Sequence, residues 1–173
     1  MHYKEKIRFL AERQKQQDYD MDKYYIDMSI EEPRWKEGEL DELLKPYPYV
    51  TESYKGFIQE FDCLGLTFLA FYGSKAYRHG GLQENIDDLS EYTDIFKKEY
   101  FPFGKDPAGS VFAFNKRGEV IYFDIEDYDF EHPEKIADNF DEFVDECILG
   151  KRLEEFLPET SGFYQYVKSL GWA

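Results

Sequence analysis

The sequence is poor in the residues on which most enzyme chemistry runs. It holds 3 His and 2 Cys in 173 residues, so general acid–base and thiol catalysis have few of their usual agents. Bases are scarce as well. Lys and Arg number 21 against 37 Asp and Glu, a formal charge of −16, and a field of that sign repels phosphate backbones. This counts against direct nucleic-acid binding. No apolar run reaches membrane-spanning length, and the N-terminal MHYKEKIRFLAERQKQQ lacks the apolar centre of a secretion signal. The expectation is a cytoplasmic protein with no membrane partner, its Cys63 and Cys147 reduced and buried as small core residues. Two cysteines so far apart make no zinc site.

Aromatic residues are abundant, with 15 Tyr and 16 Phe, so the core can be built from large rings. The length predicts one domain over 1–173 that needs neither disulfide nor metal. Residues 1–17 read as a charged helix with a thin apolar stripe of Ile7, Leu10 and Ala11, expected to pack loosely. A polar, tyrosine-rich connection over 18–33 comes next. RWKEGELDELL sets Trp35, Leu40, Leu43 and Leu44 on one side of a second helix that Gly38 weakens, and KPYPYV stops it. Thr51 is a good N-cap for a helix carrying Tyr54, Phe57, Ile58 and Phe61 at i, i+3, i+4 and i+7. LTFLAFY, residues 66–72, then reads as a central strand. Beyond it, Leu82, Ile86, Leu89 and Ile95 have weak helical spacing.

PFGKDPAGSVFAF, residues 102–114, has Gly104 and Gly109 at the separation of a phosphate-binding loop. Ser110 and Val111, however, stand where that loop needs lysine and a hydroxyl, and a strand rather than a helix comes next. The stretch is read as a turn. SVFAF and EVIYFDI, joined by NKRG, make a hairpin with Gly118 at positive φ. HPEKIADNFDEFVDECILG reads as one long helix. Pro133 sits in its first turn, Ile136, Phe140, Phe143, Val144, Cys147 and Ile148 line its buried face, and acids line its outer face. Residues 151–173 read as a linker and a last helix with Phe163, Tyr166, Val167 and Leu170, and Trp172 folds back.

Of the histidines, His2 is terminal, His132 precedes a proline, and His79 lies in the loop YRHGG. A Cys63–His79 dyad is opposed by the apolar setting of Cys63, which suppresses the thiolate. G-x-S-x-G, H-E-x-x-H and C-x-x-C are absent, and DIEDYDFE lacks the glycine of a calcium loop. No catalytic, metal or cofactor residue is assigned. The distinctive feature is segregation of charge. Glu119, Asp124, Glu126, Asp127, Asp129, Glu131, Glu134, Asp138, Asp141, Glu142, Asp145 and Glu146 stand against Lys135 alone, −11 of the −16. Amphipathicity demands polar residues on a helix face but not the near absence of lysine. A surface meeting a basic protein would carry that bias. Asp124, Glu126, Asp127, Asp129, Glu131, Asp138, Asp141, Glu142 and Asp145 are taken as the partner-binding residues.

Three pieces carry a family resemblance: YPYVTESYKGFIQEF, a proline-led helix start; FPFGKDPAGSVFAFNKRGEVIYFDIED, a glycine turn and double strand; and KIADNFDEFVDEC, an acidic aromatic segment. Together, over roughly 45–148, they resemble the SUKH superfamily, which contains fungal glucan-synthesis regulators and many bacterial immunity proteins. The resemblance implies an α+β fold with a mostly antiparallel sheet packed against several helices. It leaves the N-terminal helix 1–17 and the extension 151–173 outside the common core. It implies no enzyme and no cofactor. The implied function is an immunity protein, or antitoxin, neutralising a cognate bacterial toxin in contact-dependent competition, with a basic nuclease the kind of toxin an acidic surface suits. The alternative is a regulatory scaffold that binds host proteins. The usual Leu-Pro is Tyr47-Pro48 here, and the glycine-rich stretch after the helix shrinks to Gly65.

Overall fold

A computed structural model of the chain describes residues 1–74, 81–125 and 130–173. The chain divides into two compact units, Ser29–Phe140 and Met1–Met28 with Asp141–Ala173. Among the described residues seven strands succeed one another in a single sheet in sequence order: β1 (Met28–Ile30), β2 (Leu64–Leu66), β3 (Leu69–Phe71), β4 (Phe101–Lys105), β5 (Val111–Phe114), β6 (Val120–Phe123) and β7 (Glu134–Ala137). Every pairing from β2 to β7 is antiparallel. With the helices around it, the fold class is α+β, as expected.

In the larger unit, the helix over Glu52–Phe61 begins where Thr51 Oγ1 accepts the Tyr54 N–H at 3.4 Å, so the N-cap is real. Its stripe Tyr54, Phe57, Ile58 and Phe61 is buried throughout. The rings of Phe101, Phe103, Phe114 and Phe140 lie 5.3–5.8 Å from Tyr54, and Phe71 lies 4.9 Å from Phe57. This aromatic layer covers one face of the sheet. On the other face Val111, Ala113, Ile121 and Phe123 bury against Phe96, and Leu89, Ile95 and Tyr100 from the helical segment 82–100 close over them. Residues 111 and 113 point one way and 114 the other, the period-2 alternation of a sheet buried on both sides.

The turn Asp106–Ser110 joins β4 to β5. The Asp106 N–H bonds Ser110 O at 3.0 Å, and the Asp106 carboxylate accepts from the Ser110 N–H at 2.9 Å and from the Tyr122 hydroxyl at 2.9 Å. The stretch is a turn that the Asp106 carboxylate closes. At Gly104 a Cβ would stand 2.7 Å from Ala70 O, so β3 and β4 approach too closely there for any side chain. The NKRG turn has Gly118 at φ 76° and Asn115 Oδ1 accepting the N–H groups of Arg117 and Glu119.

Four expectations need correction. Residues 66–72 are not one strand: Leu66 pairs with Leu69 across a turn at Thr67 and Phe68, giving a tight hairpin. Every surrounding residue is apolar and no Gly, Asn or Pro marks the turn, so the pattern has no period to read. The segment 18–33 contains a short helix, Tyr19–Lys23, as well as β1. Gly38 is the N-cap of the helix Glu39–Leu44, at φ 77°, and not a weakness inside it. Glu134–Ala137 is β7 and not the first turn of a long helix; Lys135 pairs with Ile121 and Ala137 with Val120. The helix starts at Phe140, directly after the cap-favouring Asp138 and Asn139, and Ile136 falls on its apolar spacing by coincidence.

In the smaller unit, α1 (Tyr3–Lys15) does not pack loosely. Tyr3, Ile7 and Leu10 are fully buried, and so is most of Lys6. The turn at Phe140–Glu142 widens into a π-helix over Phe143–Ile148. The last helix, Gly162–Ser169, is capped by Ser161 and buries Phe163, Tyr164, Tyr166 and Val167. Trp172 folds back onto Phe9, with ring centroids 5.7 Å apart.

Among the described residues nothing bonds the Tyr54 hydroxyl, which is buried at the centre of the rings. Tyr54→Phe keeps the ring and deletes the unsatisfied oxygen, so urea unfolding should show a gain of about 1 kcal/mol. Phe140→Ala should cost about 3–5 kcal/mol by opening a cavity among the same rings. A loss of stability in Tyr54→Phe would contradict this account of the core.

Candidate functional site

The acids of 119–146 fall in two groups, one in each compact unit. In the larger unit Glu119 leaves the NKRG turn and is heavily bonded. It accepts from Asn115 Nδ2 at 2.6 Å, Arg117 Nε at 2.8 Å and Lys135 Nζ at 2.9 Å, and these donors pull its pKa down to about 2. Lys135 reaches it because β7 sets this lysine beside β6, and the same ammonium meets Asp138 Oδ1 at 2.5 Å. The two carboxylates raise the lysine's own pKa. The one base of the segment is thus clasped between two of its acids. Asp124, Glu131 and Glu134 are exposed, and Glu134 has no ion pair among the described residues. Glu126, Asp127 and Asp129 lie outside the described residues.

In the smaller unit Glu142 accepts from Arg152 Nη1 at 3.1 Å, while the rest of that guanidinium grips Glu155 through Nε at 2.9 Å and Nη2 at 2.8 Å. Asp145 meets Lys6, 8% exposed, in an ion pair at 3.3 Å rather than a hydrogen bond. The Lys6 ammonium also takes up carbonyls at the end of the π-helix, Asp145 O at 3.1 Å and Leu149 O at 2.9 Å. Asp141, Glu142 and Asp145 are half-buried, and Glu146 is exposed. The acids are therefore not one solvated outer face of a long helix. A strand ends before Asp138 and a π-helix begins at Phe143, which breaks the helical spacing that such a face requires. The structure brings Glu119 to Asp138 through Lys135, and Glu142 to Glu155 through Arg152.

The sequence reading does not single out Lys6 or Arg152 as partners of these acids. A signal exists for Lys6, which occupies position i+3 between the buried Tyr3 and Ile7 of α1. Nothing marks Arg152 except its place two residues beyond Gly150.

The thiols are placed against catalysis. Burial pushes Cys63 up to about 11, and its Sγ donates to Phe71 O at 3.3 Å; burial pushes Cys147 up to about 12. His79, the other half of the conceivable dyad, lies outside the described residues. Among the described residues no three of His, Cys, Asp or Glu come together as a metal site, and no helix is long and apolar enough to cross a membrane. A shallow cleft of about 590 Å³ lined by Pro46, Pro48, Tyr49, Lys98 and Lys116 presents lysines rather than carboxylates.

A model of the SMI1/KNR4 family (SUKH-1) matches residues 29–146, and the chain belongs to that family. The match takes in the whole sheet from Ser29 onward, including β1 and the helix Glu39–Leu44 that the resemblance over 45–148 left out. The family's members are generally non-catalytic immunity or regulatory proteins. No curated protein matches the chain.

The Glu119 cluster fixes a pH dependence. Its carboxyl lies at about 2 in the folded protein against an ordinary 4.5, so its contribution is whole above 4.5 and is lost as pH falls toward 2. Thermal melts from pH 5 to 2 should decline more steeply for the wild type than for Glu119→Gln. Parallel curves would contradict the cluster.

Proposed function

We propose that this SMI1/KNR4-family chain is a cytoplasmic immunity protein that binds and blocks a basic toxin, with a nuclease domain the class it fits best. The observation that carries the reading is the concentration of −11 within 119–146, inside the stretch that the family model spans. A nuclease must carry cations to hold phosphate, and an inhibitor offering carboxylates competes for those cations. A partner reaches the exposed carboxylates first, and Asp138 among them is already clasped by Lys135. The contact then falls first on Asp124, Glu131 and Glu134, and on Glu126, Asp127 and Asp129 next to them in sequence. Asp138, Asp141, Glu142 and Asp145 contribute chiefly through the field. No catalytic step is required, because blocking the partner's site is sufficient.

The co-encoded toxin mixed with this chain should form a stable complex by isothermal titration. Asp124→Lys with Glu134→Lys should weaken it by about tenfold or more and abolish protection of toxin-expressing cells. Asp88→Lys with Glu91→Lys, the same change of net charge on exposed sites of the helix Leu82–Tyr92, should cost far less. Equal losses at both places would remove the acidic segment from the account, leaving net charge alone.

A further inference from the structure

Residues 1–28 lie outside the family match, and two of their tyrosines stand in solvent: Tyr19 is 78% and Tyr25 87% exposed. Tyr19 opens the helix Tyr19–Lys23, and Tyr25 lies just past its end. That helix ends in the paired hydrogen bonds of a glycine-type stop, from the Tyr25 N–H to Asp22 O at 3.1 Å and from the Ile26 N–H to Met21 O at 3.0 Å. Tyr25 holds the left-handed position of that stop, at φ 54°, where glycine is favoured and a Cβ is penalised. Packing does not offset the strain. The neighbouring Tyr24 ring lies 5.9 Å from Tyr166, under Lys23 Nζ at 5.0 Å, whereas Tyr25 is left in water. Helix α1 ends on the same motif with Gln17 at φ 52°, so strain by itself does not mark a surface. What sets Tyr25 apart is a large apolar ring exposed where glycine would serve the backbone better.

The sequence around the two tyrosines is mainly acidic. Residues 18–27 are DYDMDKYYID, with four acids against Lys23. Asp18 is held by Arg13 at 2.6 Å, while Asp20 and Asp22 are exposed. Open aromatic faces beside carboxylates suit a guanidinium, which stacks on a ring while its N–H groups pair with acids; an ammonium does this less well. We infer that the Tyr19–Tyr25 segment is a docking surface for an arginine-bearing face of a basic protein, made by residues other than the acids of 119–146. The inference rests on the reading of the partner as basic, and it adds a contact that the family match does not cover.

The test uses the full chain and a capped tetra-arginine peptide, followed by two-dimensional amide NMR, with tetra-lysine for comparison. The tetra-arginine peptide should move the amides of 18–27 and bind the wild type more tightly than tetra-lysine. Tyr19→Ser with Tyr25→Gly, which leaves the net charge unchanged, should weaken tetra-arginine binding about fivefold and erase the preference. Tyr25→Gly alone should raise Tm by about 3 °C, because glycine relieves the left-handed position. Equal affinity of wild type and double variant for tetra-arginine, or shifts confined to 119–146, would overturn the inference. Should the co-encoded toxin bind both proteins equally well, this surface falls and the immunity reading stands. Should no toxin bind while tetra-arginine depends on the tyrosines, the surface stands and the immunity reading falls.

Discussion

A chain with 37 acids and 21 bases must fold against its own repulsion, and the placement of a few cations decides where that repulsion is relieved. Lys135 on β7 bridges Glu119 and Asp138, Arg152 joins Glu142 to Glu155, and Lys6 closes the π-helix end beside Asp145. Two of these cations sit where backbone geometry also involves them. Lys135 lies across from the NKRG hairpin, and Lys6 takes up carbonyls near the end of the π-helix. The more exposed of these pairs contribute little each. Their effect is to sort the acids into those neutralised within the fold and those left facing solvent.

The uncharged framework on which those groups are mounted is aromatic. Tyr54 and its ring of phenylalanines lie against one side of the sheet and Phe96 with Phe123 against the other, so strand positions alternate between two buried layers. That explains why Val111–Phe114 and Val120–Phe123 are nearly all apolar. It also explains why the acids of 119–146 fall outside these strands, in turns, on β7 and beyond it. Gly104 permits the close approach of β3 and β4, and Asp106 fills the adjoining turn with its own carboxylate.

Much of this is legible in the sequence. Thr51 as a cap, the Tyr54 to Phe61 stripe, the NKRG hairpin and the turn at Asp106–Ser110 all derive from local chemistry with one solution. The failures share a cause. LTFLAFY is apolar at nearly every position that could show a turn, and Ile136 matches a helical period that pairing with β6 overrides. Neither outcome has a local marker: the hairpin lacks a turn residue, and β7 forms by pairing with β6. The acidic segment is visible as composition, but its division by Lys135, Arg152 and Lys6 requires knowing which strand and helix each base will meet. Lys6 on the buried stripe of α1 is the one clue available, and sequence alone presents it as surface charge.

The family gives the sheet and its helices over 29–146, and the central claim is that exposed carboxylates on that framework draw in a basic partner. Long-range attraction of this kind acts on the encounter, so the most direct measurement is the association rate with the co-encoded toxin as ionic strength rises from about 20 to 500 mM. The account predicts a steep fall in association rate with little change in dissociation. An association rate that does not respond to salt would contradict it.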